Sequence, residues 1–193
     1  MKASYLAGVL MAALFALLVI SGYRGGSAAF DVGDSAGKSA AVDTNGGLRV
    51  PGDYRTDYQF LGSWAVAAEQ GQGAKELHVV YASPGALAAY RRDRQFPDGA
   101  VLVKEVFAAS TTGMTTGTVS HAQTLKGWFV MVKDAAGRHS GSLWGEGWGW
   151  SWFDAGNPNK TTSTDYRTNC RGCHVPAQAT GWIYVDGYPP LRP

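Results

Sequence analysis

The chain has 193 residues, enough for one well-buried domain. Its formal charge of +2 comes from Lys2 and Arg24, which lie in an N-terminal segment without acidic residues. The rest of the chain is neutral, so the concentrated basic surface that nucleic-acid binding needs is not expected. Twenty-six glycines and seven tryptophans indicate twisted strands and tight turns rather than a small helical protein.

The N-terminus has the pattern of an export signal. Lys2 gives a short positive region, residues 6–20 are an uninterrupted apolar run, and Ser27-Ala28-Ala29 provides small residues for cleavage. The run is shorter than a typical membrane-spanning helix, which favours a cleaved signal over a retained anchor. We expect a signal peptide at 1–29, a flexible leader at 30–47 and one domain at 48–193.

Two short helices are predicted in the first half of the domain. The first is expected at 53–64, where apolar residues recur at helix-like intervals. The second is expected at 86–94, because Ser83 and Pro84 have the features of an N-cap followed by the first helical residue.

Five strands are predicted from β-branched and aromatic runs bounded by turn residues. A threonine- and glycine-rich connection is expected at 110–120 and a polar turn at 134–141. The strands are expected at 76–81, 100–108, 127–133, 143–153 and 181–185. The fold class is therefore mainly β, an antiparallel sheet with a few short helices.

The predicted strand at 143–153 is unusual because tryptophans alternate with glycines. With a two-residue period, its four tryptophans share one face with Glu146, and three glycines and Ser151 form the other. The glycine face would let another backbone, an aromatic ring or a flat cofactor approach closely. Two alternatives stay open for the tryptophans: they form a core or dimer interface, or they contact a cofactor.

Near the C-terminus, Cys170-Arg171-Gly172-Cys173-His174 has the C-x-x-C-H pattern that attaches a c-type haem. Two thiols at this spacing can bond to the two vinyl groups of one porphyrin, and the next imidazole then lies at the iron. The chain has no other cysteines. A structural zinc site usually has four ligands, and a disulfide across so short a loop is sterically poor. We expect covalent haem c, with a redox dithiol or partial metal site as the alternative.

Several other segments occur in a recognisable order around this motif. In chain order they are Tyr54-Arg55, Leu61-Gly62-Ser63-Trp64, His78-Val79-Val80-Tyr81, Phe96-Pro97-Asp98-Gly99, Leu102-Val103-Lys104-Glu105, Trp144-Gly145, Gly147-Trp148-Gly149-Trp150 and Tyr188-Pro189. Together with the haem motif they resemble the cytochrome P460 family, to which the β-sheet cytochromes c′ also belong. The resemblance runs from about Leu48 to Pro190.

The resemblance implies a mostly antiparallel β subunit that pairs as a homodimer, and a five-coordinate haem c with an open distal side. It implies thioethers at Cys170 and Cys173 and proximal ligation of the iron by His174. In the hydroxylamine-oxidising members a lysine is also bonded to a porphyrin meso carbon, and the lysine of the matching strand is Lys104. Haem c is attached outside the bacterial inner membrane, so a periplasmic location is expected.

The surroundings of Lys104 in the sequence support a special role independently. It lies within the apolar run 101–107 and shares a face with Leu102 and Val106. An ammonium there is costly to bury unless it is paired or chemically consumed. The alternative is a strand-edge lysine that extends to water or pairs with a nearby acid.

Oxidation of hydroxylamine at an open haem needs a base to accept protons. The candidates are Glu146, Glu105 and His78. Glu146 is preferred, because burial between tryptophans would raise its pKa. Arg55 is the candidate partner for a haem propionate, by the usual fit of guanidinium to carboxylate.

Three functions compete. The first is oxidation of hydroxylamine, a small nitrogenous substrate, to nitric or nitrous oxide, with electrons passing to a soluble cytochrome. The second is binding of a diatomic gas, nitric oxide or carbon monoxide, at an apolar distal face where Phe107 or Phe129 excludes larger ligands. The third is plain electron transfer, which would need a second axial ligand such as Met114 or Met131. We favour the first because of Lys104.

Overall fold

The computed structural model of the protein describes residues 40–192. The predicted signal peptide at 1–29 and the first part of the predicted leader lie outside the described residues. The last part of that leader packs with the domain, because Ala41 is buried and Val42 pairs with Leu48. No helix in residues 40–192 is long and apolar enough to cross a membrane.

Six strands form one sheet in the order β1-β2-β3-β4-β6-β5, and every neighbouring pair is antiparallel. Their bounds are β1 (Gln59–Ala67), β2 (Ala74–Ala82), β3 (Val101–Met114), β4 (Gly117–Lys133), β5 (Trp144–Gly145) and β6 (Trp148–Asp154). The predicted fold class, mainly antiparallel β with a few short helices, is confirmed.

Short helical segments lie before, within and after the sheet. Helix α1 is Tyr54–Asp57 and helix α2 is Ala86–Asp93. After β6 the chain forms a π-helical turn, the short helix α3 and three 3₁₀ turns, at Arg167–Arg171, Gly172–His174, Val175–Thr180, Val185–Gly187 and Pro189–Leu191. The strand predicted at 181–185 is therefore wrong, because this segment turns back on itself and forms no ladder with the sheet.

The helix predicted at 53–64 is also wrong beyond its first turn. Helix α1 ends at Asp57, and β1 begins two residues later. Ladder pairing with β2, which places Trp64 opposite His78, overrides the helix-like spacing of a few apolar residues. Helix α2 lies as predicted, but its N-cap is Gly85. Ser83 instead accepts a hydrogen bond from the Val101 backbone N–H through its hydroxyl oxygen.

The connection predicted at 110–120 is a continuation of two strands. Strands β3 and β4 pair up to Met114 and Gly117, with Thr111 opposite Ser120. The threonines that suggested a loop are β-branched and suit an exposed ladder. A long β3–β4 hairpin therefore replaces the expected loop.

The strand predicted at 143–153 is a tight hairpin of β5 and β6. Glu146 and Gly147 form its two-residue turn, with φ values of 56° and 75°. Trp144 pairs with Gly149 and Gly145 pairs with Trp148. The turn interrupts the two-residue period, so the expected single wall of four tryptophans is wrong.

The sheet has two faces with different roles, which we call the front and back faces. Across the front face, Val80, Lys104, Phe129 and Trp152 lie opposite one another on β2, β3, β4 and β6. This face is covered by α2 and by the C-terminal segment from Tyr166 to Leu191. The back face carries Val103, Trp128, Val130 and Phe153, and residues between Ala41 and Tyr54 cover it.

Candidate haem site

The front face and the C-terminal segment enclose a cavity of about 460 Å³. Most of its wall is apolar or aromatic, as expected of a site for a flat hydrophobic cofactor. The lining side chains include Trp64, Val66, His78, Val80, Leu102, Lys104, Phe129, Met131, Trp150, Asn169, Cys170, Cys173, His174, Ile183, Tyr184 and Tyr188. The cavity therefore joins the haem motif to the strand that carries Lys104.

The motif cysteines lie on consecutive helical segments that place both beside the cavity. Cys170 ends up buried and Cys173 exposed, and both thiols are free. Burial raises the pKa of the Cys170 thiol to about 11, so this sulfur stays protonated at neutral pH. In the part of the chain that the structure describes, no three His, Cys, Asp or Glu side chains are grouped to hold a metal ion.

His174 is fixed in one orientation by its backbone neighbour across the turn. Its Nδ1 lies 2.6 Å from the Trp182 carbonyl oxygen. Because a carbonyl only accepts, Nδ1 carries the proton and donates it, which leaves the lone pair on Nε2. Burial lowers the pKa of His174, so the ring is kept neutral. A neutral imidazole with a free Nε2 lone pair is what an iron ligand requires.

Aromatic rings pack around this imidazole. The Trp150 ring lies at 80° to it, with 5.0 Å between ring centroids, and the Tyr184 ring lies at 5.9 Å. The Tyr184 hydroxyl also donates to the Cys173 carbonyl oxygen at 2.5 Å. These contacts hold α3 against β6 and restrict rotation of the His174 ring.

Lys104 lines the same cavity from the centre of β3. Its Nζ lies 4.4 Å from the centroid of the Phe129 ring, its partner across the ladder. Within residues 40–192, Lys104 forms no salt bridge with a carboxylate. Burial lowers the pKa of Lys104, which favours the neutral, nucleophilic amine.

His78 is the candidate base that the structure brings to the cavity. Its Nε2 lies 3.1 Å from a carboxylate oxygen of Glu76, whose other oxygen accepts from the Lys126 ammonium at 2.5 Å. Burial lowers the pKa of His78 more than the Glu76 carboxylate raises it, and the positive charge of Lys104 acts in the same direction as burial. His78 thus links the cavity to charged groups at the protein surface.

Glu146 is not buried between tryptophans, so that expectation is wrong. It is exposed at the β5–β6 turn, where the left-handed backbone points its side chain away from the sheet. Its carboxylate accepts from Arg171 Nε at 2.9 Å. Glu146 does not line the cavity, and it contacts the haem motif from outside.

Glu105 and Arg55 lie on the back face, because Glu105 follows Lys104 in the strand and points the opposite way. The Tyr54 hydroxyl donates to the buried Glu105 carboxylate at 2.5 Å, and Arg55 Nε donates to it at 2.7 Å. Trp128 Nε1 donates to the Tyr54 oxygen at 2.8 Å. The structure therefore does not bring Glu105 or Arg55 to the cavity, and the guanidinium already has a carboxylate partner.

The remaining sequence candidates divide in the same way. Met131 and Phe129 line the cavity, whereas Met114 is 60% exposed at the end of β3 and Phe107 does not reach the cavity wall. Asn169, Trp182 and Tyr184 are parts of the site that the sequence did not single out. In the sequence, only their closeness to the haem motif could have indicated a role for them. Trp182 and Tyr184 were assigned to the predicted strand at 181–185, which does not form.

The residues around the cavity fit a c-type haem, because two free thiols, a neutral histidine with a free Nε2 and apolar walls meet there. A family model for cytochrome P460 matches residues 51–185. The chain belongs to the cytochrome P460 family. A comparison with curated proteins finds no match.

Membership of the cytochrome P460 family implies that the protein binds haem c. The matched range contains the motif, Lys104 and His78, and it ends just before Tyr188, the last residue of the cavity wall. The residues that line the cavity thus lie almost entirely within the range that the P460 family model matches.

Proposed function

We propose that the protein is a haem c oxidoreductase that oxidises hydroxylamine to nitric or nitrous oxide, with Lys104 bonded to the porphyrin. The observation that carries this proposal is the half-buried Lys104 amine, which has no carboxylate partner among residues 40–192 and lies in the same cavity as Cys170, Cys173 and His174. An ammonium without a carboxylate partner is unfavourable in such a place. A lysine nitrogen already bonded to the porphyrin ring would carry no charge at neutral pH, so this cost would not arise.

The proposed roles of the other side chains follow from their positions. Cys170 and Cys173 would form the thioethers, and His174 Nε2 would bind the iron. When bound, the haem would supply an electron acceptor and a binding site for a small nitrogenous substrate. The wall of that space is mostly aromatic and aliphatic.

Protons released from hydroxylamine need an acceptor, and we propose His78 for this role in place of Glu146. Because Nε2–H donates to Glu76, the lone pair of the neutral ring is on Nδ1. The Glu76 carboxylate and Lys126 continue from His78 to the surface. This chain of polar groups gives protons an exit, while the electrons would pass to a soluble cytochrome.

The test is the absorption spectrum of the reduced protein. A lysine-bonded haem is expected to give the strongly red-shifted Soret band from which the family takes its name. Lys104→Ala should replace it with an ordinary haem c spectrum and abolish hydroxylamine oxidation. Peptide mass spectrometry of the unaltered protein should find one haem joined both to a fragment that contains Lys104 and to a fragment that contains Cys170.

Lys75→Ala is the matched control, since Lys75 is an exposed lysine of β2 that pairs with Glu69. It should keep the red-shifted band. An ordinary haem c spectrum in the unaltered protein would exclude the lysine bond and with it the proposed oxidation.

A cytochrome c′-type function is the second candidate, and the largely apolar cavity wall beside Phe129 favours it. In that case nitric oxide or carbon monoxide would bind reversibly, and Lys104→Ala would leave the spectrum unchanged. The same experiment therefore separates the two functions.

We also propose that the protein is a periplasmic homodimer, on the basis of the export-signal pattern and of the family. N-terminal sequencing of the mature protein should find a start near residue 30, and light scattering should give twice the subunit mass. An uncleaved N-terminus or a monomer would contradict the corresponding proposal.

A further inference from the structure

The haem motif is connected to the β5–β6 hairpin by contacts that the proposed chemistry does not use. Arg171, between the two cysteines, donates through Nε to Glu146 at 2.9 Å. Its guanidinium carbon lies 5.2 Å from the centroid of the Trp182 ring. Trp182 in turn accepts the Nδ1–H of His174 through its carbonyl oxygen at 2.6 Å. Four residues thus form one continuous set of contacts that ends at the iron ligand.

The backbone of Trp182 is held in an unfavourable conformation. Its φ is 72°, and only Arg94 and Glu146 share a positive φ among the non-glycine residues of 40–192. For a bulky aromatic residue the left-handed region is a genuine outlier, which persists only where the surroundings hold it. The carbonyl oxygen of this strained residue is the acceptor for His174 Nδ1–H.

Several contacts hold Trp182 in place. Its ring is buried and packs edge-on against Trp150, with 6.2 Å between centroids. Its N–H donates to the Ala177 oxygen at 2.8 Å. Trp148 Nε1 donates to the oxygen of the preceding Gly181 at 3.0 Å. The Arg171 guanidinium also lies over this ring.

We propose that Glu146 and Arg171 are positioning residues that set the hydrogen bond that His174 Nδ1–H donates to the Trp182 carbonyl oxygen, and through it the electron donation of His174 to the iron. Glu146 holds Arg171 over the Trp182 ring, and the stacked guanidinium keeps the left-handed segment from relaxing. A stronger bond to Nδ1–H makes the imidazole a more basic ligand and stabilises the ferric state. This inference rests on the proposed function only in taking His174 as the iron ligand.

The hairpin turn explains why Glu146 can do this. Its left-handed backbone and the neighbouring Gly147 fix the direction of the side chain. The Arg171 side chain is 40% exposed and the Glu146 side chain is 30% exposed. Their ion pair alone therefore contributes little to stability. We therefore assign this ion pair a role in placing the guanidinium over the Trp182 ring rather than a role in stability.

The test compares Glu146→Gln and Arg171→Gln in the haem-loaded protein. Loss of either residue should relax Trp182, weaken the bond to His174 and favour the ferrous state. We expect both variants to shift the ferric–ferrous equilibrium roughly three- to ten-fold toward ferrous, a rise in midpoint potential of about 30–60 mV. The iron–histidine stretching frequency in resonance Raman spectra should fall in both.

A simple charge effect predicts a different result. Removing a negative charge raises the midpoint potential and removing a positive charge lowers it, so shifts of opposite sign in the two variants would overturn the proposal. Unchanged potentials would overturn it as well. The double variant should match the single variants, because both break the same set of contacts.

Arg167→Gln is the control for a lost positive charge near the motif. Arg167 lies over the Tyr166 ring at 4.9 Å and near Asp165, whereas the guanidinium over the Trp182 ring is that of Arg171. It should leave the iron–histidine frequency unchanged. Both readouts apply to any His-ligated haem, so they remain valid even if Lys104 forms no bond to the porphyrin.

Discussion

Lys104 and Glu105 are neighbours in the chain, and the alternation of β3 gives them opposite environments. Glu105 is 2% exposed on the back face and is satisfied by Tyr54 and Arg55. Lys104 faces the cavity, has no carboxylate partner among residues 40–192, and lies over the electron-rich face of Phe129. A charge in an apolar environment is normally paired. The lack of a carboxylate partner at Lys104 among residues 40–192 therefore indicates that the front face is the functional one.

His78 is the second residue whose burial matters for chemistry. Its pKa is lowered from the ordinary value of 6.5, mainly by burial, so the ring is neutral at pH 7. A base acts only when it is unprotonated, so hydroxylamine oxidation should fall as the pH drops through the lowered pKa. That acid limb would lie below pH 6.5.

We predict that His78→Gln lowers the rate of hydroxylamine oxidation at neutral pH by about a hundredfold and removes the acid limb, since glutamine cannot accept the proton. The measurement is the dependence of kcat on pH. His121→Gln is the control, because His121 is exposed on β4 and lies outside the cavity. An unchanged acid limb in His78→Gln would assign the proton acceptor to another group.

At the scale of elements, the β5–β6 hairpin supplies the wall behind His174, the proposed iron ligand. Trp148 and Trp150 are both 1% exposed and pack toward the C-terminal segment. The alternating glycines make room for rings: Gly149 faces the Trp144 ring and Gly145 faces Tyr166. The sequence predicted that a ring, another backbone or a flat cofactor could approach the glycine face of this segment closely. The structure shows that the approaching rings are the side chains of Trp144 and Tyr166.

We predict that Gly149→Ala lowers the free energy of unfolding by about 1–3 kcal/mol through overpacking. A Cβ at this position would lie 2.6 Å from the Trp144 ring, whose Nε1 donates to the Gly46 oxygen at 3.1 Å and so resists displacement. Urea unfolding of the haem-loaded protein measures the change. Gly113→Ala is the control, because no atom lies within 4 Å of a Cβ at Gly113. Equal stability of the two variants would show that the hairpin accommodates the extra methyl group.

At the scale of the molecule, the site exists only because a C-terminal segment with little regular structure is held on the front face of the sheet. This segment, from Tyr166 to Leu191, forms short helical turns and contributes several buried residues to the front core. Covalent haem would bridge it to the sheet through the motif and, in our proposal, through Lys104. Haem attachment should therefore stabilise the whole domain as a bound ligand does.

We predict that Cys170→Ser/Cys173→Ser yields protein without covalent haem on a denaturing gel and with a Tm lowered by about 10 °C. The serines are close in size to the cysteines, so the loss of the cofactor dominates. Haem staining and calorimetry are the measurements. Val175→Ser, an exposed change directly after the motif, should alter neither. Normal haem staining of the double variant would contradict covalent attachment through these thiols.

Local sequence determined much of this protein. The run Glu76-Leu77-His78-Val79-Val80-Tyr81 specified β2, the glycines and tryptophans specified close-packed strands, and alternation along 101–107 specified the face that Lys104 shares with Leu102. The C-x-x-C-H spacing identified the residues that would hold haem c. These features depend on period, propensity and spacing, which are properties of short segments.

Tertiary structure alone decided how those segments meet. The turn at Glu146 broke a two-residue period and moved that carboxylate from an expected wall of tryptophans to the surface, beside Arg171. The fold also placed Arg55 on the back face and brought the carbonyl oxygen of the left-handed Trp182 within hydrogen-bond distance of His174. Such outcomes depend on ladder pairing and packing between distant residues, which override local preference. The sequence thus predicted which residues would hold the haem, and the fold determined which other side chains lie beside them.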